Sequence, residues 1–310
     1  MAKEPRPRWQ WLLLGLLGLL ILAYAGASWF FSNVLIAFPT YSLEEDRNRL
    51  GISSPADFGL PQPQDFTVNT ANVQLSGWFF QGTNRCGVLF LHGIGSSRYT
   101  MLKYAPMFWQ RGCSLMFYDA RRHGSSTGKY GTYGYYESKD AVVMLSQFKA
   151  LTALNDNQLG MLGESYGAAS AILAAQNVPN LAFVIADSSY ESLKAIVYEQ
   201  GEKQYGKLIK VFIPGAFLLS ELRARFDVSK VSPLDSVERV RVPLLLQHAL
   251  EDDYTPAEHS KHLFANSDKS QTMLYLSDWG AGHAEAINTN PQAYTRVVDE
   301  FLAAYAPEFQ

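Results

Sequence analysis

The chain has 310 residues, 47% hydrophobic and 18% charged, with a formal net charge of −3 and a pI near 6.1. Such a composition supports a sizeable core and excludes disorder or a collagen-like repeat, and the weak net charge with scattered Lys and Arg argues against nucleic acid as a partner. Two cysteines cannot build a disulfide-rich scaffold, and no Cys/His cluster has zinc-site spacing, so no metal is expected.

From Trp9 to Leu43 no side chain is charged, and Trp11 to Phe31 reads WLLLGLLGLLILAYAGASWFF. About 20 helical residues cross a ~30 Å hydrocarbon core, so residues 1–38 are read as a cytoplasmic stub and transmembrane anchor. Lys3, Arg6 and Arg8 against Glu4 keep the N-terminus cytoplasmic and send the remainder outward, and Trp9, Trp11, Trp29 and Phe30 fall where interfacial aromatics belong. A cleaved signal peptide is the competing reading, with Leu12–Leu22 as its apolar region and Ala23-Tyr24-Ala25 as its cleavage site. The apolar residues that continue through Phe31 and from Val34 to Phe38 favour retention. Both readings export the rest of the chain.

Pro39, Pro55, Pro61 and Pro63 break periodicity across residues 39–64, which reads as a linker. DFTVNT and VQLSGWFF then look like an antiparallel hairpin around Ala71-Asn72. Beyond it, apolar runs alternate with helical stretches: GVLFLH, a helix after Ser97, SLMFYD, a helix from Tyr135 to Leu151, QLGMLG, YGAASAILAAQ and LAFVIAD. The alternation resumes with PLLLQHA, a helix after Pro256, TMLYLSD and a closing helix over 291–306. Such alternation predicts a doubly wound α/β domain over 65–310 with parallel strands covered by helices on both faces. The helical interruption over about 188–242 is too long for a simple connection and reads as a small cap.

Gly163-Glu164-Ser165-Tyr166-Gly167 follows an apolar strand and opens a helical run, which makes Ser165 the nucleophile candidate. So tight a turn requires small residues two before and two after the serine, supplied by Gly163 and Gly167. A serine hydroxyl needs a base that is itself held by a carboxylate. His283 lies in Gly280-Ala281-Gly282-His283, past the last expected strand, at the edge where strands deliver site residues. His92 and His248 end strands and read as loop ties, and His123 reads as lining the active-site edge. His259 and His262 share a helix at a metal-like spacing, but without a third ligand they read as a solvated face. Glu251-Asp252-Asp253 follows the penultimate strand; Asp252 is the preferred carboxylate and Asp253 the alternative. Oxyanion donors are expected from the backbone N–H groups of Tyr166 and of Ile94, or else Gly93.

FLHGIGSSR, YDARRHGSSTG, GTYGYYESKD, GESYGAAS, VSPLD, LLLQHALEDDYTP and GAGH, in this order, resemble the α/β-hydrolase superfamily over residues 65–306. The branch to which the chain is most similar is the membrane-tethered bacterial hydrolases of the bud-emergence (Bem-like) type. The resemblance implies a mostly parallel eight-stranded sheet, a triad of Ser165, Asp252 and His283, and oxyanion donors at Ile94 and Tyr166. Two departures stand out. Arg122 occupies a turn position where glycine is common, putting the turn geometry in question and adding a positive group near the site, and Ala249 replaces a usual glycine.

The tyrosines of Lys129–Tyr136 either wall an acyl or aromatic group or pack the start of a helix. Apolar cap residues around Val211–Pro214 and Phe217–Leu219 cover an acyl pocket, touch the membrane, or simply bury the cap. Cys86 and Cys113 precede equivalent points of neighbouring strands, so they form a disulfide or remain two small buried thiols. The expected function is a serine hydrolase, carboxylesterase or lipase-like, acting without a cofactor on a small-molecule ester or acyl substrate through an acyl-enzyme. Peptidase, thioesterase and acyltransferase share this apparatus, and a catalytically silent binding module is the non-enzymatic alternative.

Overall fold

A computed structural model describes residues 8–70 and 72–309. Lys3, Glu4 and Arg6, on which the expected orientation leans, and Ala71 of the expected hairpin turn lie outside the described residues. In chain order the elements are α1 (Arg8–Ile36), α2 (Leu43–Leu50), β1 (Gln64–Asn69), β2 (Gln74–Phe80), β3 (Gly87–Leu91), α3 (Ala105–Trp109), β4 (Ser114–Tyr118), α4 (Glu137–Thr152), β5 (Leu159–Glu164), α5 (Tyr166–Ala175) and β6 (Phe183–Asp187). There follow α6 (Leu193–Tyr205), α7 (Ile213–Ala224), α8 (Pro233–Val237), β7 (Leu244–Ala249), α9 (Glu258–Asn266), β8 (Thr272–Ser277), α10 (Ala286–Thr289) and α11 (Pro291–Tyr305).

The strands form one eight-stranded sheet in the order β1-β2-β4-β3-β5-β6-β7-β8. β2 runs antiparallel to β1 and β4, and β3 to β8 are mutually parallel. Each of the eight apolar runs expected as strands is a strand. Pleating sends alternate residues to opposite faces, and they join two separate cores. Val88, Phe90 and Phe117 pack with Phe108 and Phe301, whereas Leu89, Met116 and Met161 pack with Met144 and Ile172. Register aligns the strand ends, with Leu91 opposite Gly163, Glu164 opposite Asp187 and Asp187 opposite Gln247. The loops that follow β3, β5 and β7 therefore emerge side by side.

Three segments differ from their sequence expectations. Residues 39–64 are more structured than a linker: Ser42 and Glu45 form a reciprocal capping box that starts α2, and buried Asp46 accepts hydrogen bonds from Ser97 N–H and Oγ. The helix expected after Ser97 begins as a 3-10 turn over Arg98–Tyr104 before α3. Arg122 adopts φ 72°, the left-handed region in which glycine is at ease. Its guanidinium is taken up by backbone carbonyls, donating to Phe38 O at 2.7 Å and Lys129 O at 3.1 Å.

α1 is long and apolar enough to cross a membrane over Trp9–Ile36, with a mean hydropathy of 2.0 in an 18-residue window. Its last turns pack on α7. Tyr24 stacks on Phe212 at 5.7 Å, Ser32 Oγ meets Ser220 Oγ at 3.0 Å and accepts from Arg223 at 2.8 Å, and buried Leu35 and Ile36 complete the seam. Gly215 allows the approach, because a Cβ there would overlap Ser28 Oγ. Small residues at such a crossing let two helix backbones come close. Gly215→Leu is expected to pry α1 from α7 and lower stability by roughly 1–3 kcal/mol, the usual cost of overpacking, read as a drop in the thermal midpoint of the full chain in detergent.

Cys86 and Cys113 are joined, with their Cα atoms 4.7 Å apart, just before the paired residues Gly87 and Ser114. Closing a loop over a separation of 27 residues restricts the unfolded chain by roughly 3.5 kcal/mol on the chain-entropy account. Replacing both cysteines with alanine should remove about that much stability in a denaturant titration, and non-reducing peptide mass spectrometry should recover the linked pair.

Candidate active site

Ser165 sits between β5 and α5 at φ 54°, ψ −114°, a conformation that costs a non-glycine residue on the order of 1–3 kcal/mol. The turn is forced by close packing: a Cβ on Gly163 would overlap the Gly167 carbonyl, and one on Gly167 would overlap the Leu91 carbonyl. The Ser165 N–H is tied to Asp187 O at 2.8 Å, which holds the strained residue to the end of β6.

His283 lies in the loop after β8. Its Nε2 is 2.8 Å from Ser165 Oγ and its Nδ1 is 2.7 Å from Asp252 Oδ2. Its loop is held on both sides of the following residue: Ala284 N–H donates to Ser188 Oγ at 3.2 Å, and Lys103 Nζ donates to Ala284 O at 2.9 Å. Asp252, in the loop after β7, accepts at Oδ1 from the N–H groups of Tyr254 at 3.0 Å and Thr255 at 2.8 Å. Its Oδ2 also lies 3.2 Å from His248 Nε2. Burial raises the Asp252 carboxyl, but hydrogen bonds from His248, His283 and Thr255 N–H outweigh burial and hold it well below the usual carboxylate range. Asp253 instead points outward and pairs with Lys203 at 3.1 Å.

The loop after β3 is fixed by two buried imidazoles. His92 Nε2 accepts from Ala120 N–H at 2.9 Å, so its Nδ1–H donates to Gly93 O at 2.7 Å. His123 Nε2 accepts from Gly95 N–H at 3.0 Å, so its Nδ1–H donates to Arg121 O at 2.9 Å. Burial lowers both, with the like charge of His92 next in effect at His123, which is pushed down to about 3; both rings are therefore neutral near pH 7. In a trans peptide the C=O and N–H point in opposite directions, so pinning the Gly93 carbonyl aims the Ile94 N–H away from His92. Tyr166 is the first residue of α5, so its N–H belongs to those a helix leaves without an intrahelical acceptor.

His123 is buried against Phe38 and Tyr166, so it braces the loop from behind and does not line the site edge. His248 ties Thr255 O to Ser260 Oγ. His259 and His262 pair with Glu199 and Glu191, and among the described residues no cluster of three such side chains has the arrangement of a metal site. Tyr133 packs on Tyr166 at 5.6 Å, while Glu137 accepts from Thr132 and Gly134 N–H at 3.0 and 2.8 Å, so the tyrosine-rich segment both approaches the site and starts α4. A pair missed in the sequence is Lys103 with Glu164, at 2.6 Å. Burial disfavours the ammonium, but the Glu164 charge outweighs this and keeps it protonated. Nothing local marks Lys103, since its partner is 61 positions away in number.

Residues 125–308 match the model of the prolyl oligopeptidase family, Peptidase_S9. The Bacillus subtilis (strain 168) protein YqkD is 30% identical over 217 residues, covering 69% of this chain and 70% of its own. The Arabidopsis thaliana alpha/beta hydrolase domain-containing protein WAV2 is 23% identical over 82% of this chain and 83% of its own. Among solved structures, the Pyrococcus furiosus esterase Pf2001 superposes with a TM-score of 0.68 at 25% identity, over 86% of this chain and 96% of its own. An acylaminoacyl peptidase of Pyrococcus horikoshii superposes with a TM-score of 0.60 at 18% identity, over 80% of this chain and 42% of its own, a likeness of fold. With the matched segment running through Ser165, Asp252 and His283, the chain belongs to the prolyl oligopeptidase family, within the α/β-hydrolase superfamily.

Proposed function

We propose that the protein is a membrane-anchored serine hydrolase of the Bem-like type that cleaves carboxylic esters through an acyl-enzyme. The observation that carries this reading is the pair of hydrogen bonds through His283, to Ser165 Oγ at 2.8 Å and to Asp252 Oδ2 at 2.7 Å. In the first half-reaction His283 Nε2 takes the hydroxyl proton as Ser165 Oγ bonds to the ester carbonyl carbon. Asp252 steadies the imidazolium, and the N–H groups of Ile94 and Tyr166 receive the oxyanion. Collapse breaks the acyl–oxygen bond and His283 passes the proton to the departing alcohol. Water, deprotonated by the same imidazole, then releases the acid and restores Ser165. No cofactor enters this scheme.

An ester reading is supported by the near full-length superposition on an esterase. The family match favours a second reading, a serine peptidase, and a panel of esters beside peptide amides separates the two. The export reading, with the N-terminus cytoplasmic, is supported by the Cys86–Cys113 link, since disulfides persist in oxidising compartments. Retention of the anchor is supported by α1 running unbroken through Ala23-Tyr24-Ala25 while Tyr24 stacks on Phe212. The reading of residues 188–242 as a cap is supported by α6 and α7, which lie between β6 and β7 in the chain, and by Gln200 of α6, which donates to Tyr254 O.

A fluorophosphonate probe should label the wild type and not Ser165→Ala, whose ester turnover should fall by on the order of 10⁵-fold or more; a folded wild type that takes no label would instead be a binding module. Asp252→Asn should lower kcat by on the order of 10³-fold or more, with Asp253→Asn unchanged. Because the folded protein holds Asp252 below its ordinary value, its contribution to stability is present above about pH 4 and is lost as pH falls further. The stability gap between wild type and Asp252→Asn, measured by denaturant titration, should therefore narrow between pH 7 and pH 3.

A further inference from the structure

Two cavities share Tyr254 as a lining residue, and its ring lies 5.0 Å from that of His283. The larger, about 470 Å³, holds Ser165 and His283 and carries the charged groups Arg49, Lys103 and Glu164 beside the apolar Leu50 and Ile94. The smaller, about 130 Å³, is apolar, walled by Phe31, Val34 and Leu35 of α1 and by Ile209 and Ile213 of the insertion between β6 and β7. A wall built from the helix that reaches the membrane is unusual for a pocket meant for a water-borne substrate. We propose that the substrate is an ester of a bilayer lipid, whose acyl chain approaches Ser165 from the membrane between α1 and the α6–α7 insertion while its polar alcohol portion occupies the larger cavity. The proposal rests on the ester-hydrolase reading and names its substrate class.

Three further observations converge on it. Counting ~20 residues of span from Trp9 places the outer boundary of the hydrocarbon near Ser28, and there α1 meets Phe212 and Gly215, so the start of α7 stands level with the lipid. On that same insertion, which packs on α1, Leu208, Val211, Leu218 and Leu222 are each more than half exposed. Such a surface next to a membrane span fits the acyl boundary of the outer leaflet. Finally, Gly201 sits inside α6, where glycine is a poor helix former, and a Cβ there would lie 3.4 Å from both Ile209 and Ile213. Gly201 lines the apolar cavity together with these two residues, so a larger side chain there would fill it.

The test compares the full chain in phosphatidylcholine vesicles doped with a fluorescent long-chain diacyl lipid ester against the same protein acting on soluble p-nitrophenyl acetate. Gly201→Leu, which favours the helix while filling the cavity, is expected to lower the ratio of lipid to acetate hydrolysis at least ten-fold. Leu218→Glu combined with Leu222→Glu is expected to lower hydrolysis of the lipid in vesicles relative to the same lipid in detergent micelles. Unchanged ratios in both variants overturn the proposal, as does a wild type that cleaves the acetate but not the vesicle lipid; in the latter case the ester reading survives. A folded wild type that cleaves neither overturns both.

Discussion

The start of α5 lies so near β3 that one methyl group at position 167 would collide with the Leu91 carbonyl. From that contact the geometry of the site follows. The chain must leave β5 and enter α5 without bulk at 163 or 167, and Ser165, between them, is driven to a positive φ. All ten residues of α5 are buried, and burial on this scale offsets the local strain. The hydroxyl is thus presented at the C-terminal edge of a parallel sheet, where the other strand ends are already in register.

Four of the imidazoles in and around this site owe their roles to what surrounds them. His92 and His123 are enclosed, desolvated and neutral, each with one ring nitrogen donating to a carbonyl and the other accepting from an amide. They act as rigid spacers behind the loop after β3. His248 is equally enclosed and lends a second contact to the Asp252 carboxylate. His283 alone stands half-buried between a carboxylate and a hydroxyl. A histidine count says nothing about this division; the partners decide it.

Much of the scaffold was legible because strands covered on both faces read as continuous apolar runs, and because GESYG carries its own packing requirement. The convergence of Ser165, Asp252 and His283 was legible since each lies in a loop that follows a strand ending at the same edge, a regularity of topology that does not depend on side-chain detail. Pairing between distant segments was not legible. The Ser42–Glu45 capping box was present in the sequence, yet surrounding prolines suggested a linker. Arg122 gave no sign that its guanidinium would reach back to Phe38. The seam of α1 against α7 joins residues some 190 apart, and Ser28, Ser32 and Gly215 look unremarkable singly, since small residues matter only when two backbones come together.

The stretch that leaves α1 grips the loop expected to receive the oxyanion. Tyr41 N–H donates to Gly95 O at 2.9 Å, Phe38 packs against Tyr166 and His123, and Gly131 N–H donates to Ile36 O at 3.0 Å. The end of α1 and the loop after β3 are thus held as one piece, so removing the chain ahead of Tyr41 would also unseat the loop that the proposed mechanism uses. On the proposed reading, a cut within that stretch would switch the activity off rather than set the domain loose.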